Sequence, residues 1–171
     1  MIYKYKTKSL HACLRRHTQT GFTLVEILVV LAIIALLAGI IMPSLSGFHN
    51  QQALRNTTED MLSLLNEARS DTLGSLNATD YSVLIQSNQA TYFIGDTFSS
   101  TDPSNKTITF DQAVAVSPTT GINLNGGGTT VTFDRLTGGT SEYGTIIIGL
   151  VSDPTQQKMI TISQTGLISS N

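Results

Sequence analysis

The sequence predicts an α+β protein: a long N-terminal helix with an apolar first half and an amphipathic second half, packed on small antiparallel β-sheets. Three observations predict it. Residues 22–42 form an apolar run broken by one ionisable group, Glu26. Apolar residues then recur at helical spacing as far as Leu76. Beyond Asn77 the period becomes two, with Gly-, Asp- and Pro-rich breaks between short β-branched runs, the pattern of separate helix and strand regions.

Residues 22–42 read FTLVEILVVLAIIALLAGIIM, long enough as a helix to cross a hydrocarbon core of about 30 Å. No charged residue follows Glu26 before Arg55. A lone carboxylate at membrane depth costs roughly 2.5–3.5 kcal/mol on insertion scales, so Glu26 reads as functional. The alternative is a helix-end side chain that reaches the interface.

The residues ahead of the run favour a function. Lys4, Lys6, Lys8, Arg15 and Arg16 precede Gly21 with no acid among them, which holds this leader in the cytoplasm. An ordinary secretory signal is cut after its apolar run. Here the small-residue junction, Gly21–Phe22, lies before it. Cleavage there removes residues 1–21 and keeps the helix, with the rest of the chain outside the cytoplasm. Glycine at the cut lets a protease approach the main chain closely. The new Phe22 amine lies four residues from Glu26, a helix-face spacing. The carboxylate then pairs with its own amine or with that of a neighbouring subunit, where it would set axial register.

Pro43 ends the apolar run; lacking an N–H and clashing with the preceding turn, it predicts a helix kink or local melting. Leu54, Met61, Leu65, Ala68 and Leu76 continue one apolar face over residues 43–76. Strands are expected at 81–86, 90–94, 106–110, 130–133, 145–148 and 158–162, with Ser87-Asn88-Gln89 as a hairpin turn and Gly166-Leu167-Ile168 closing the last group. The breaks are 99–105, 121–128 and 136–144. The domain plan is therefore a leader 1–21, an apolar helix 22–42, an amphipathic continuation 43–76 and a β domain 77–171.

Composition removes several classes of function. Charged residues are only 13% of the chain. Five of the ten basic residues and none of the twelve acids lie in the leader, so from Phe22 on five cations face twelve acids, a formal −7. That balance disfavours nucleic acid as a partner. The one cysteine, Cys13, is in the leader, and no apolar segment precedes it as a lipoprotein site would need; His49 is the only histidine after the junction. Disulfides, thiolate metal sites and histidine-based catalytic triads are thereby nearly excluded, and no metal or cofactor is expected. Gly126-Gly127-Gly128 lacks the Lys-Ser/Thr of a phosphate loop and reads as a turn. Asp96, Asp102 and Asp111 lack calcium-ligand spacing. Arg135 and Lys158 are too few for a basic groove, and the glycosylation triplets at Asn56, Asn77 and Asn105 are common in a Thr-rich chain.

The basic leader, Gly21, Phe22, Glu26 and the unbroken apolar helix ending near Pro43 resemble the class III signal of type IV pilins and type II secretion pseudopilins. That resemblance implies cleavage between Gly21 and Phe22 by a prepilin peptidase, N-methylation of Phe22, an inner-membrane stage and assembly with other pilin or pseudopilin subunits through Glu26. Leu64–Ser70, Phe133–Gly138, Gly144–Ile148 and Ile160–Gly166 are similar to GspH/FimT-type minor pseudopilins, which implies a place at or near a filament tip. The alternative function is a tip-binding module, an adhesin or a DNA-uptake subunit. Some FimT-like members carry arginines after the glycine near the C-terminus; here Leu167, Ile168 and Ser169 follow Gly166, which weighs against DNA. A membrane-anchored enzyme is the remaining rival, and no paired acids stand out to support it.

Overall fold

The computed structural model describes residues 21–117 and 121–171, with the side chains of residues 40–46 outside the description. The basic leader and Cys13 lie outside the described residues. The chain divides into two units, one ending at Ile41 and one spanning Met42–Asn171. One helix, α1, runs Leu24–Leu73.

In the first unit the apolar helix has no protein cover. Every described side chain from Phe22 to Gly39 is exposed, including Leu24 at 76% and Leu36 at 71%. A helix apolar on all sides needs lipid or other helices around it. Among the described residues no helix is long and apolar enough to cross a membrane. The apolar run itself continues into residues 40–42, whose side chains are not described. Pro43 lies inside α1, which is assigned without interruption.

In the second unit α1 becomes amphipathic, as the spacing predicts. Leu54, Met61, Leu64, Leu65 and Ala68 are buried. Leu76, expected on the same face, is half exposed, because the helix ends at Leu73 rather than near Leu76. Gly74 N–H donates to Ser70 O, and Ser75 then takes a left-handed φ of 50°. A short 3₁₀ turn, Leu76–Ala78, follows.

Among the described residues nine strands build two antiparallel sheets. They are β1 Tyr81–Ile85, β2 Gln89–Ile94, β3 Lys106–Thr109, β4 Val114–Val116, β5 Ile122–Leu124, β6 Thr130–Phe133, β7 Gly144–Leu150, β8 Gln157–Ile162 and β9 Ile168–Ser170. The first sheet has the order β3-β2-β1-β6 and the second β4-β7-β8-β9, with β5 also on β7. Collinear β4 and β5 share one edge of β7, pairing with residues 148–150 and 144–146. The sequence reading missed both: each has three residues, and β5 falls inside the glycine-rich stretch expected to be a break.

Both sheets turn their alternate apolar residues to α1. Tyr81, Val83, Val131 and Phe133 of one and Ile146, Ile148, Ile160 and Ile162 of the other join a single buried cluster with the helix. Burial at this scale contributes about 1.5–3 kcal/mol per large side chain. The 95–105 loop covers part of the outer face of the first sheet: Ser82 Oγ donates to Gly95 O at 2.6 Å, and Phe98 packs edge-on to buried Phe93.

One polar contact ties helix to sheet inside this core. Tyr92 OH donates to Asp71 Oδ2 at 2.8 Å, and the Tyr92 ring stacks on Tyr81 at 5.4 Å. Burial, then the bond to Asp71, pushes the Tyr92 hydroxyl well above the usual phenol range. Its contribution to stability is thus fully present below the unfolded pKa of about 10 and is lost as pH rises through the higher folded value. Tyr92→Phe is expected to cost about 1.5–3 kcal/mol, the range for a hydrogen bond to a charged group. An alkaline absorbance titration of the parent should show one tyrosine ionising only as the domain unfolds. A variant as stable as the parent removes this role.

Candidate functional site at the start of the helix

The residues at the start of α1 sit in open space. Gly21 and Phe22 precede the helix and are exposed, Phe22 at 80%. A Cβ added to Gly21 would meet nothing within 4 Å. The fold therefore places no demand on glycine here, and any requirement comes from a molecule that handles this junction.

Thr23 begins the helix. Its carbonyl accepts from Ile27 N–H at 3.3 Å, and its Oγ1 accepts from Glu26 N–H at 3.2 Å. This is N-cap geometry, and Thr23 with Glu26 has capping-box spacing. Sequence reasoning passed over Thr23, although Thr-x-x-Glu before an apolar run is a legible signal. The cap also revises the expected relation of Phe22 to Glu26. Phe22 lies outside the helix, so no shared helix face fixes its amine against the carboxylate. Glu26 occupies the third helical position, where the positive end of the helix dipole favours an acid.

At the other end of α1 three of the four motifs named above converge: those at 64–70, 133–138 and 160–166. Arg69 donates from Nε to Gly138 O at 3.3 Å and from Nη2 to Thr165 O at 3.4 Å. Gly166 packs against the same carbonyl with a φ of +74°. Leu136 N–H donates to Thr72 O at 3.5 Å. Arg135 donates from Nε to Ser75 Oγ at 3.3 Å and from Nη1 to Ala78 O at 3.0 Å. These motifs thus form a structural clamp between the helix end and two turns, with Arg69 held by main-chain carbonyls and Arg135 by a carbonyl and the Ser75 hydroxyl.

The remaining expected sites resolve into local structure. Asp102 accepts from the Ser104 hydroxyl and main-chain N–H, which hold its carboxyl below the usual range. Asp111 accepts from Ala113 N–H at 2.8 Å. Gly126 and Gly127 both have positive φ in the turn after β5. Among the described residues no group of three or more His, Cys, Asp or Glu is placed to hold a metal.

Comparison with known proteins bears on the start of the chain and on its fold. Residues 16–42 match the prokaryotic N-terminal methylation motif. No curated protein matches the chain. The fold is similar to that of the type IV minor pilin FimU of Pseudomonas aeruginosa strain PAO1, with a TM-score of 0.53 and 15% identity over 69% of this chain and 92% of that one. The chain thus combines an N-terminal methylation motif with a pilin-like α+β fold.

Proposed function

We propose that the chain is a minor pilin or pseudopilin, cut between Gly21 and Phe22 by a prepilin peptidase and N-methylated at Phe22. Its apolar helix holds it in the bacterial inner membrane as a single pass, with the β domain outside the cytoplasm. It is then assembled at or near the tip of a type II secretion pseudopilus or a type IV pilus. The observation that carries this reading is the methylation motif over residues 16–42, which takes in the capped start of a helix whose apolar side chains are exposed. An apolar helix leaves lipid for a helix bundle at little hydrophobic cost, so packing and a Glu26–amine pair supply the specificity. A kink at Pro43 would let this helix bend on entering such a bundle.

Mass measurement of the first residue of the native protein tests the processing step; methylated phenylalanine is expected, and a retained leader refutes the reading. Glu26→Ala tests assembly. It is expected to be cut normally and to lose at least about tenfold in filament incorporation, equivalent to 1.4 kcal/mol. Unimpaired incorporation removes the register role.

A DNA-uptake role finds no support at the C-terminal turn, where Leu167 stands exposed after Gly166. The full chain should show no salt-sensitive DNA retention.

A further inference from the structure

Strand β8 runs alongside α1 and fixes which turns stand at which end of the β-domain unit. Before β8, Gln156 Oε1 accepts from Gln51 Nε2 at 3.2 Å; after it, Thr165 O accepts from Arg69 Nη2 at 3.4 Å. The β7–β8 turn therefore stands at the level of Gln51. The turn after β8 stands at the level of Arg69, about 27 Å farther along the helix at 1.5 Å per residue. Both ends carry exposed apolar groups: Phe48, Val151 and Pro154 at the near end, and Leu73, Leu76, Leu136 and Leu167 at the far one.

The near end is the one that the chain ties to the apolar run. Phe48 lies six residues after Met42, the last residue of that run, or about 9 Å along a helix. A headgroup layer is about 5–8 Å deep on each side of the hydrocarbon, and helical side chains lean toward the helix N-terminus. The Phe48 ring, 64% exposed, is thus carried back toward the lipid in which the run is read to sit. His49 meets it edge-on at 6.5 Å, and an imidazole, apolar in body and polar at its tip, suits the same layer.

The β7–β8 turn satisfies its acid internally. Asp153 is half-buried and accepts from Thr155 N–H at 3.1 Å, from the Thr155 hydroxyl at 2.6 Å and from Gln156 Nε2 at 3.1 Å. Val151 and Pro154 are left exposed, Val151 at 63%. Val151 N–H donates to Ala113 O at 2.9 Å, which brings in the turn at Asp111, whose carboxylate accepts from Ala113 N–H. Farther along α1, Arg55, Glu59 and Lys158 line one groove. With acids and cations mixed, charge does not select an anionic partner, and any contact here is an apolar one.

We propose that Phe48, Val151 and Pro154 enter the headgroup layer while the apolar helix is in the membrane, so that the lipid surface holds this end of the β domain. Three side chains fall far short of the roughly 800 Å² per partner of a stable protein contact. A lipid contact needs no such area here, because the helix already tethers the patch and makes its binding intramolecular. So small a contact also lets go when the helix leaves lipid. The four far leucines stand about 27 Å or more along α1 from Gln51, beyond the headgroups when the near end rests on them. This inference rests on the membrane-anchored reading above, and its test separates the two.

The chain has no tryptophan, so a single one reports its own surroundings. Full-length Ile33→Trp, Val151→Trp and Leu167→Trp chains are reconstituted in zwitterionic phosphatidylcholine vesicles that carry a nitroxide on the headgroup or midway along the acyl chain. Ile33→Trp should be quenched by the acyl-chain nitroxide. Val151→Trp should be quenched at least about twofold by the headgroup nitroxide, as an interfacial depth of about 5–10 Å requires. Leu167→Trp should be quenched by neither. Adding Phe48→Ser and Pro154→Ser to the Val151→Trp chain should cut its quenching by about half or more, since binding scales with the apolar area buried; attraction of the tryptophan alone would not show this. Equal headgroup quenching at Leu167→Trp overturns the proposal. So does quenching at Val151→Trp that survives the two serines, needs anionic lipid, or appears only at high protein-to-lipid ratio, where a second copy is the neighbour. A quenched Ile33→Trp with a silent Val151→Trp refutes only the surface contact, whereas an unquenched Ile33→Trp refutes the membrane-anchored reading and this inference with it.

Discussion

Gly166→Ala is expected to cost at least about 4 kcal/mol, a large share of the 5–15 kcal/mol that holds a typical domain together. Two causes add. The residue sits at a φ of +74°, where a side chain is strained by about 1–2 kcal/mol. The added Cβ would also overlap Gly138 O, at a separation of 1.8 Å, and approach Arg69 Nε to 2.9 Å. The obstacle at Gly138 is main chain, so relief requires moving the turn that Arg69 holds. The melting temperature is expected to fall by at least about 12 °C, taking roughly 3–4 °C per kcal/mol for a domain of this size. Gly126→Ala is the control. Its φ is +88° but nothing lies within 4 Å of an added Cβ, so only the conformational cost of about 1 kcal/mol remains. Equal melting temperatures for the two variants would remove the clamp from the account of this fold.

Gly21→Val is expected to leave the fold untouched and to lower cleavage at least about 100-fold. Open space around Gly21 means the domain tolerates valine there. A protease must bring the scissile bond to its catalytic groups within a fraction of an ångström, and a misplacement of about 1 Å costs on the order of 100-fold in rate. Mass spectrometry of the membrane fraction should find the leader still attached, while the thermal melt matches the parent. A Gly21→Val chain cut as efficiently as the parent would contradict the assignment of Gly21 to the cleavage site.

Much of this molecule is legible in its sequence because single side chains carry the information. The apolar run is set by composition, and the proposed cut site by one polarity change. The buried helix face at Leu54, Met61, Leu65 and Ala68 is set by spacing. The hairpin of β1 and β2 follows from alternation around Ser87-Asn88-Gln89, and Gln86 N–H closes it on Gln89 O at 2.9 Å. Strands β4 and β5 were not legible. Three residues such as Val114-Ala115-Val116 are too short to show a period, and pairing with β7 alone makes them strands. The end of α1 was misplaced by three residues because Leu76 continues the apolar spacing, while the left-handed backbone from Ser75 stops the helix first.

The start of the chain was thus determined by sequence alone. A basic leader, Gly21, Phe22 and a solitary Glu26 are local chemistry, and the processing proposed for them needs no fold. Only the tertiary structure decided what the distant motifs do. Arg69, Gly138 and Gly166 lie far apart in the chain and share no periodicity. They meet because helix and sheets bury one common core, and that packing spends the arginine on main-chain carbonyls and leaves four leucines facing out.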